Sequence, residues 1–205
     1  MGKKDKKTKK EIFFRRYLFF LAIVALFILL FPFAGDIREY LVDDSQFAEL
    51  IEFHSKRNGL DAELVRAVIF EESKFKVKTR GKAGEIGLMQ ILPKASVVDW
   101  ARAHKCNVPS NYELFDPDLN IEIGTWYLKK VMSRYSKSDE KIELALCAYN
   151  AGYKNADKYR KLSNQNKKSV VDNIDSASTK NYVRKIMKRY HRYKQNTANA
   201  KKGSK

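Results

Sequence analysis

The chain places a glutamate, Glu72, on the apolar side of a predicted helix running from Asp61 to about Ser73, at the head of the run Glu72-Ser73-Lys74-Phe75. At about 100° per residue, Leu64, Val65, Val68 and Ile69 share one face. Glu72 falls near the centre of that face, because it lies three, four and seven residues after Ile69, Val68 and Val65. Glu71 falls toward the edge. Taking a carboxylate out of water penalises its charged form and raises its pKa, which is what a general acid working near neutral pH requires. The same position also suits a structural glutamate that ends the helix and is neutralised by Arg66, Lys74 or another base. The helix alone does not choose between the two. Further runs with polar side chains do, Gly87-Leu88-Met89-Gln90 and Ala148-Tyr149-Asn150-Ala151-Gly152.

The elements that must position these groups follow from patterning. With 205 residues the chain has room for one domain of ordinary size plus appendages. From Tyr17 to Ala34 there are 18 residues without a charge, enough for roughly 27 Å of helix against a hydrocarbon layer of about 30 Å. Residues 1–16 carry eight basic residues against Asp5 and Glu11. The positive-inside rule therefore keeps this tail cytoplasmic and sends the remainder across the membrane, to the periplasm or outer face. The expectation is an uncleaved single-pass signal anchor over 17–34; a cleaved signal peptide competes, since Pro32 and Ala34-Gly35 allow cleavage. Residues 35–44 read as a juxtamembrane linker, 45–194 as the folded domain and 195–205 as a basic disordered tail.

The net charge of +17 lies mostly at the ends: residues 180–205 hold ten basic residues and no acidic one, and the stretch between the two basic ends has 23 basic against 22 acidic. The N-terminal cluster is explained by topology and the C-terminal one falls outside the cytoplasm, which argues against nucleic acid as a partner and for anionic wall polymers or lipid head groups. Cys106 and Cys147 are too few for a disulfide scaffold and lack metal-ligand spacing; one disulfide between them is permitted but not indicated. His54, His104 and His191 form no ligand pair, so neither metal nor cofactor is expected.

Within the domain, Ser45 reads as an N-cap for a helix with Phe47, Leu50, Ile51 and His54 on one face and Gly59 as its stop. Phe75 to Glu85 reads as a loop or small β-hairpin. Helical signals resume at Gly87 to Leu92 and from Pro93 to about His104, then at Leu119 to Tyr135, Asp139 to Ala151, Tyr153 to Leu162 and Ser178 to Tyr193. Gly152 reads as a helix C-cap. The fold class is mainly α with a small β element, an α+β arrangement, plus one N-terminal transmembrane helix.

The ordered set of Glu72-Ser73, Gly87 to Gln90 with Pro93, Ala148 to Gly152, and Thr179-Lys180-Asn181-Tyr182-Val183 resembles the lysozyme-like catalytic domain of soluble-type lytic transglycosylases, relatives of goose-type lysozymes. Asp116-Pro117 with Asn120, Gly124 and Tyr127-Leu128 resembles the family's helix entry. The resemblance covers roughly 45–190. It implies a peptidoglycan lytic transglycosylase that cleaves the MurNAc-GlcNAc β-1,4 bond and leaves 1,6-anhydro-MurNAc ends. It makes Glu72 the sole catalytic acid/base, with Gln90, Tyr149, Asn150 and Tyr182 lining the glycan cleft, Ser73 supporting the acid and Met89 packing on the cleft floor. Met89 also reads as ordinary core, and Tyr182 shares a stripe with Ile186 and Tyr190 that would pack regardless. The implied partners are peptidoglycan glycan strands and, through the anchor, the membrane, with envelope proteins as further partners of a monomer.

Two positions depart from the family pattern. Gly81 stands where serine is usual, and Glu85 stands where a small residue is common. Glu85 reads either as a second carboxylate that positions water or as a solvent-facing charge opposite Lys82 or Arg80. The competing functions are a hydrolytic muramidase on the same bond and a non-catalytic peptidoglycan-binding scaffold.

Overall fold

The computed structural model describes residues 2–30 and 45–203. The chain divides into two compact units, Met1–Asp43 and Asp44–Lys205. The first contains α1, Gly2–Leu30, with exposed Phe19, Phe20, Phe27 and Leu29. Among the described residues no helix is long and apolar enough to cross a membrane. The expected span 17–34 runs past the described residues. Its described part, 17–30, reaches only about 21 Å at about 1.5 Å per residue. The expected linker, 35–44, lies outside the described residues.

The second unit is built from helices: α2 Ala48–Asn58, α3 Ala62–Ser73, α4 Val98–His104, α5 Pro117–Arg134, α6 Lys141–Ala151, α7 Tyr153–Asn166, the short α8 Val170–Asn173 and α9 Ala177–Gly203. Asp61 caps α3 by accepting the Glu63 N–H at 3.0 Å, as its sequence position predicts. Asp116 caps α5 in the same way through Leu119 N–H. Ser45 does not cap α2; it opens a 3-10 turn, Ser45–Phe47, and the helix starts after Phe47. Gly59 ends α2 with its N–H on the Lys56 and Ser55 carbonyls.

The apolar face of α3 is the centre of the core. Leu64, Val65, Val68 and Ile69 are all buried against α9 and α2, which fixes where Glu72 must point. Helix α9 packs along both α3 and α6, and α5 joins α6 to α2. Buried His54 on α2 ties to α5 through Asp118, 2.7 Å from its Nε2. Cys106 is exposed, Cys147 is buried, and both are free thiols.

Between Phe75 and Leu92 the expected hairpin reduces to two isolated antiparallel bridges, Arg80 with Ile86 and Ile86 with Ile91. The helical signal from Gly87 to Leu92 is overridden: the segment is a turn, with Gly87 at φ 81° and Gln90 at φ 46°. Buried Asn120 is the tertiary cause. Its Oδ1 accepts Met89 N–H at 2.9 Å, and its Nδ2 donates to the carbonyls of Ile86 at 3.0 Å and Leu114 at 2.7 Å. A Cβ at Gly87 would overlap Asn120 Nδ2 and lie 2.9 Å from Leu114 O, so only glycine lets the turn close on that amide. Asn120→Ala strands Met89 N–H and Leu114 O, while Ile86 O keeps the Ile91 N–H, and is expected to cost about 2 kcal/mol; a shift in the urea midpoint measures it, and an unchanged midpoint would remove Asn120 as the clasp.

The C-terminal segment also differs from expectation. Residues 195–203 continue α9 as helix rather than forming a disordered tail. Lys194 Nζ sits 2.6 Å from Asp61, and Thr197 donates to Glu63, so the first turn of α3 holds the end of α9.

Candidate active site

Glu72 sits in the last turn of α3, half-buried, and its Oε1 accepts the Tyr182 hydroxyl of α9 at 2.6 Å. Burial raises its carboxyl from the ordinary carboxylate range to about 7. The Tyr182 bond pulls the other way, while the neighbouring charges of Glu71 and Glu85 push it further up. Lys74 opposes them weakly.

The adjacent glutamate has a different environment. Glu71 faces Lys74 at 3.1 Å, Lys185 at 3.3 Å and Arg189 at 3.7 Å. Arg66 pairs with Glu63 at 3.7 Å and lies over the Tyr193 ring. The two bases that could have neutralised Glu72 are thus directed to other acids. One helical step of about 100° separates a paired carboxylate from one whose hydrogen bond comes from a phenol.

The remaining residues of the candidate site lie on three elements. Tyr149 and Asn150 arrive on the last turn of α6, Thr179 and Tyr182 on the first turns of α9, and Gln90 on the turn clasped by Asn120. Tyr149 donates its hydroxyl to Met89 O at 2.8 Å and packs its ring 5.6 Å from that of Tyr127. Both Tyr149 and Tyr182 hold their phenol protons well above the usual range, chiefly through burial and also through the Glu72 charge. Asn150 is exposed and accepts the Thr179 hydroxyl at 3.0 Å. Gln90 is half-buried and spends its Nε2 on Thr79 O and Gly87 O.

Two of the anticipated contacts differ. Ser73 is buried and donates to Ile69 O at 3.1 Å, one turn back along its own helix, so it leaves the hydrogen bond to Glu72 to Tyr182. Met89 has no exposed surface and presses against Gly124, where a Cβ would overlap its Sδ. Its burial matches the ordinary core reading of this residue. Sequence reasoning did not assign Asn120 as the turn's clasp or Thr179 as the partner of Asn150; a polar residue at a helical position facing inward was the available signal for each.

A cavity of about 470 Å³, lined in part by Asp61, Glu63, Lys194 and Thr197, lies at the start of α3, whereas Glu72 is in its last turn. Its charges are mixed, with Asp61 and Lys194 paired to each other. None of the anticipated site residues lines it.

The family described as transglycosylase SLT domain matches residues 49–172. This chain is 29% identical over 147 residues to a membrane-bound lytic murein transglycosylase E of Buchnera aphidicola, covering 69% of this chain and 68% of that one. It is 27% identical over 169 residues to a membrane-bound lytic murein transglycosylase C of Actinobacillus pleuropneumoniae, covering 72% of this chain and 46% of that one. Among solved structures, a lytic transglycosylase of Pseudomonas aeruginosa superposes with a TM-score of 0.63 at 24% identity, over 73% of this chain and 24% of that one. The 70-kDa soluble lytic transglycosylase in complex with bulgecin A gives 0.63 at 25%, over 72% and 24%. The chain belongs to the transglycosylase SLT domain family.

Proposed function

We propose that the chain is a lytic transglycosylase that acts on peptidoglycan, with Glu72 as its catalytic acid and base. The observation that carries this reading is the Glu72 carboxyl, raised to about 7 by burial and held at 2.6 Å by Tyr182. Such a group is protonated on a large fraction of molecules at neutral pH, yet able to serve as a base after giving its proton away. The names of the relatives supply the substrate.

Glycosidases ordinarily divide acid and base or nucleophile between two carboxyl groups. Here one suffices if the sugar supplies the rest. Glu72 protonates the oxygen of the MurNAc-GlcNAc bond as it leaves, and the 2-acetamido group of the substrate stabilises the developing cation. The Glu72 carboxylate then takes the proton of the 6-hydroxyl as that oxygen closes on the anomeric carbon. The product is a 1,6-anhydro end, and no water is consumed. Gln90, Tyr149 and Asn150 line the glycan path, and Tyr182 positions the acid.

The proposed domain plan keeps the basic residues 1–16 in the cytoplasm, a signal anchor over 17–34 and a wall-facing body beyond it. Its support is the charge asymmetry around the apolar run and the membrane-bound names of the relatives.

Mass spectrometry of digested purified peptidoglycan tests the reaction. Anhydro ends, lighter by one water than reducing ends, are expected; reducing ends alone would replace the lyase with a muramidase. Tyr182→Phe provides a second check. It removes the bond that favours the charged form, so the basic limb of the pH-rate profile moves to higher pH and the maximal rate falls roughly tenfold. A limb that moves to lower pH would contradict the role given to Tyr182.

A further inference from the structure

Gly81 does not owe its place to backbone conformation, since it is absent from the residues with positive φ. Space is the remaining reason. A Cβ at this position would overlap Glu85 Oε2 outright and lie 2.7 Å from Glu85 Cδ and 2.9 Å from Gln90 Oε1. Two acceptor groups from different parts of the loop therefore converge on one bare Cα.

Their orientations are fixed. Gln90 donates through Nε2 to Gly87 O at 2.9 Å and Thr79 O at 3.2 Å, so reversing the amide would set its oxygen against two carbonyls. Its oxygen is thereby the end turned to Gly81. Glu85 accepts Ala83 N–H at 2.9 Å, and neither of the bases flanking it in sequence pairs with it: Arg80 lies over the Phe115 ring, and Lys82 is exposed. The loop that holds them is closed by Gly81 N–H to Glu85 O at 2.9 Å and Gly84 N–H to Gly81 O at 3.3 Å. Glu85 is thus not the solvent-facing half of an ion pair. An ionised carboxylate and an amide oxygen offer several lone pairs and no proton, so a group that fills this place must bring a donor. The site adjoins the proposed cleft: the turn that carries Gln90 accepts the Tyr149 hydroxyl at Met89 O, and the next residue, Asn150, is bonded to Thr179 of the helix whose Tyr182 holds Glu72.

Resting on the transglycosylase reading, we propose that Gly81, Glu85 and Gln90 form an acceptor-lined notch beside Glu72 that takes one hydrogen-bond donor of the glycan, a hydroxyl or an amide N–H, making Glu85 a specificity-determining residue of this chain. The small residue at 81 and the acid at 85 are then one device. The first clears the space that the carboxylate of the second occupies.

Binding, separated from turnover, tests this. The full chain carrying Glu72→Gln serves as parent, and the ligand is a soluble glycan fragment prepared from peptidoglycan, titrated by calorimetry at pH 7. Adding Glu85→Gln, which keeps the side chain's size, is expected to weaken binding about tenfold, as for a hydrogen bond to a charged acceptor. Gly81→Ala, whose methyl displaces the Glu85 carboxylate and the Gln90 oxygen, is expected to weaken it similarly. The urea midpoint of the Glu85→Gln variant should match the parent's. Binding by Glu85→Gln within twofold of the parent overturns the inference, as does a parent that binds no fragment. Failure of the natural chain to cleave peptidoglycan while the parent binds overturns the transglycosylase reading instead and leaves the ratio of affinities to judge the notch.

Discussion

Glu72→Gln is expected to lower the rate of peptidoglycan cleavage by at least about a thousandfold, since it removes a group that serves first as acid and then as base. Glutamine keeps the size and still accepts the Tyr182 hydroxyl at the place where Oε1 lies 2.6 Å away. Only the transferable proton is lost. Glu71→Gln is the matched control. Its carboxylate is engaged by Lys74, Lys185 and Arg189, so it is expected to keep the rate within about an order of magnitude while lowering the unfolding midpoint. Equal losses of activity in the two variants would contradict the division of labour between these neighbours.

Stability should move in the opposite direction from activity. The folded chain holds the Glu72 proton up to about 7, against an ordinary glutamate value of 4.5. Through that window the folded state binds a proton that the unfolded state has released, so this group's contribution is full below about pH 4.5 and declines as pH rises through 7. Glutamine has no charge to bury. Glu72→Gln is therefore expected to exceed the natural chain in stability at pH 8 by up to about 3 kcal/mol, and to match it at pH 4. Urea unfolding at the two pH values reads the difference. A variant less stable than the natural chain at pH 8 would mean that Glu72 contributes binding energy to the fold, as a structural glutamate does.

Much of this site was legible because helical periodicity reports direction. The spacing of Leu64, Val65, Val68 and Ile69 singled out Glu72 over Glu71, and the structure buries that face. Caps were legible where the side chain acts on its own helix, as at Asp61, and less so at Ser45, where a 3-10 turn intervenes. Contacts between distant elements were not. Tyr182 meets Glu72 across 110 residues of sequence, and its helical stripe reads equally well as packing. Ser73 adjoins the acid in sequence, but on a helix neighbours point about 100° apart, so its hydroxyl bonds back to Ile69. The turn at Gly87 to Gln90 defeated a local helical signal because Asn120, thirty-one residues beyond Met89, satisfies its backbone. The basic tail expected to be disordered continues as helix to 203, where Lys194 just before it bonds Asp61 and Thr197 within it bonds Glu63.

A carbon-13 titration of the Glu72 carboxyl, in the natural chain and without substrate, probes the proposed acid itself. The account predicts a midpoint near 7. A Glu72 midpoint at the ordinary value near 4.5 would show an ionised, solvated carboxylate at neutral pH, and the chain would then hold no proton donor where the glycan is proposed to break.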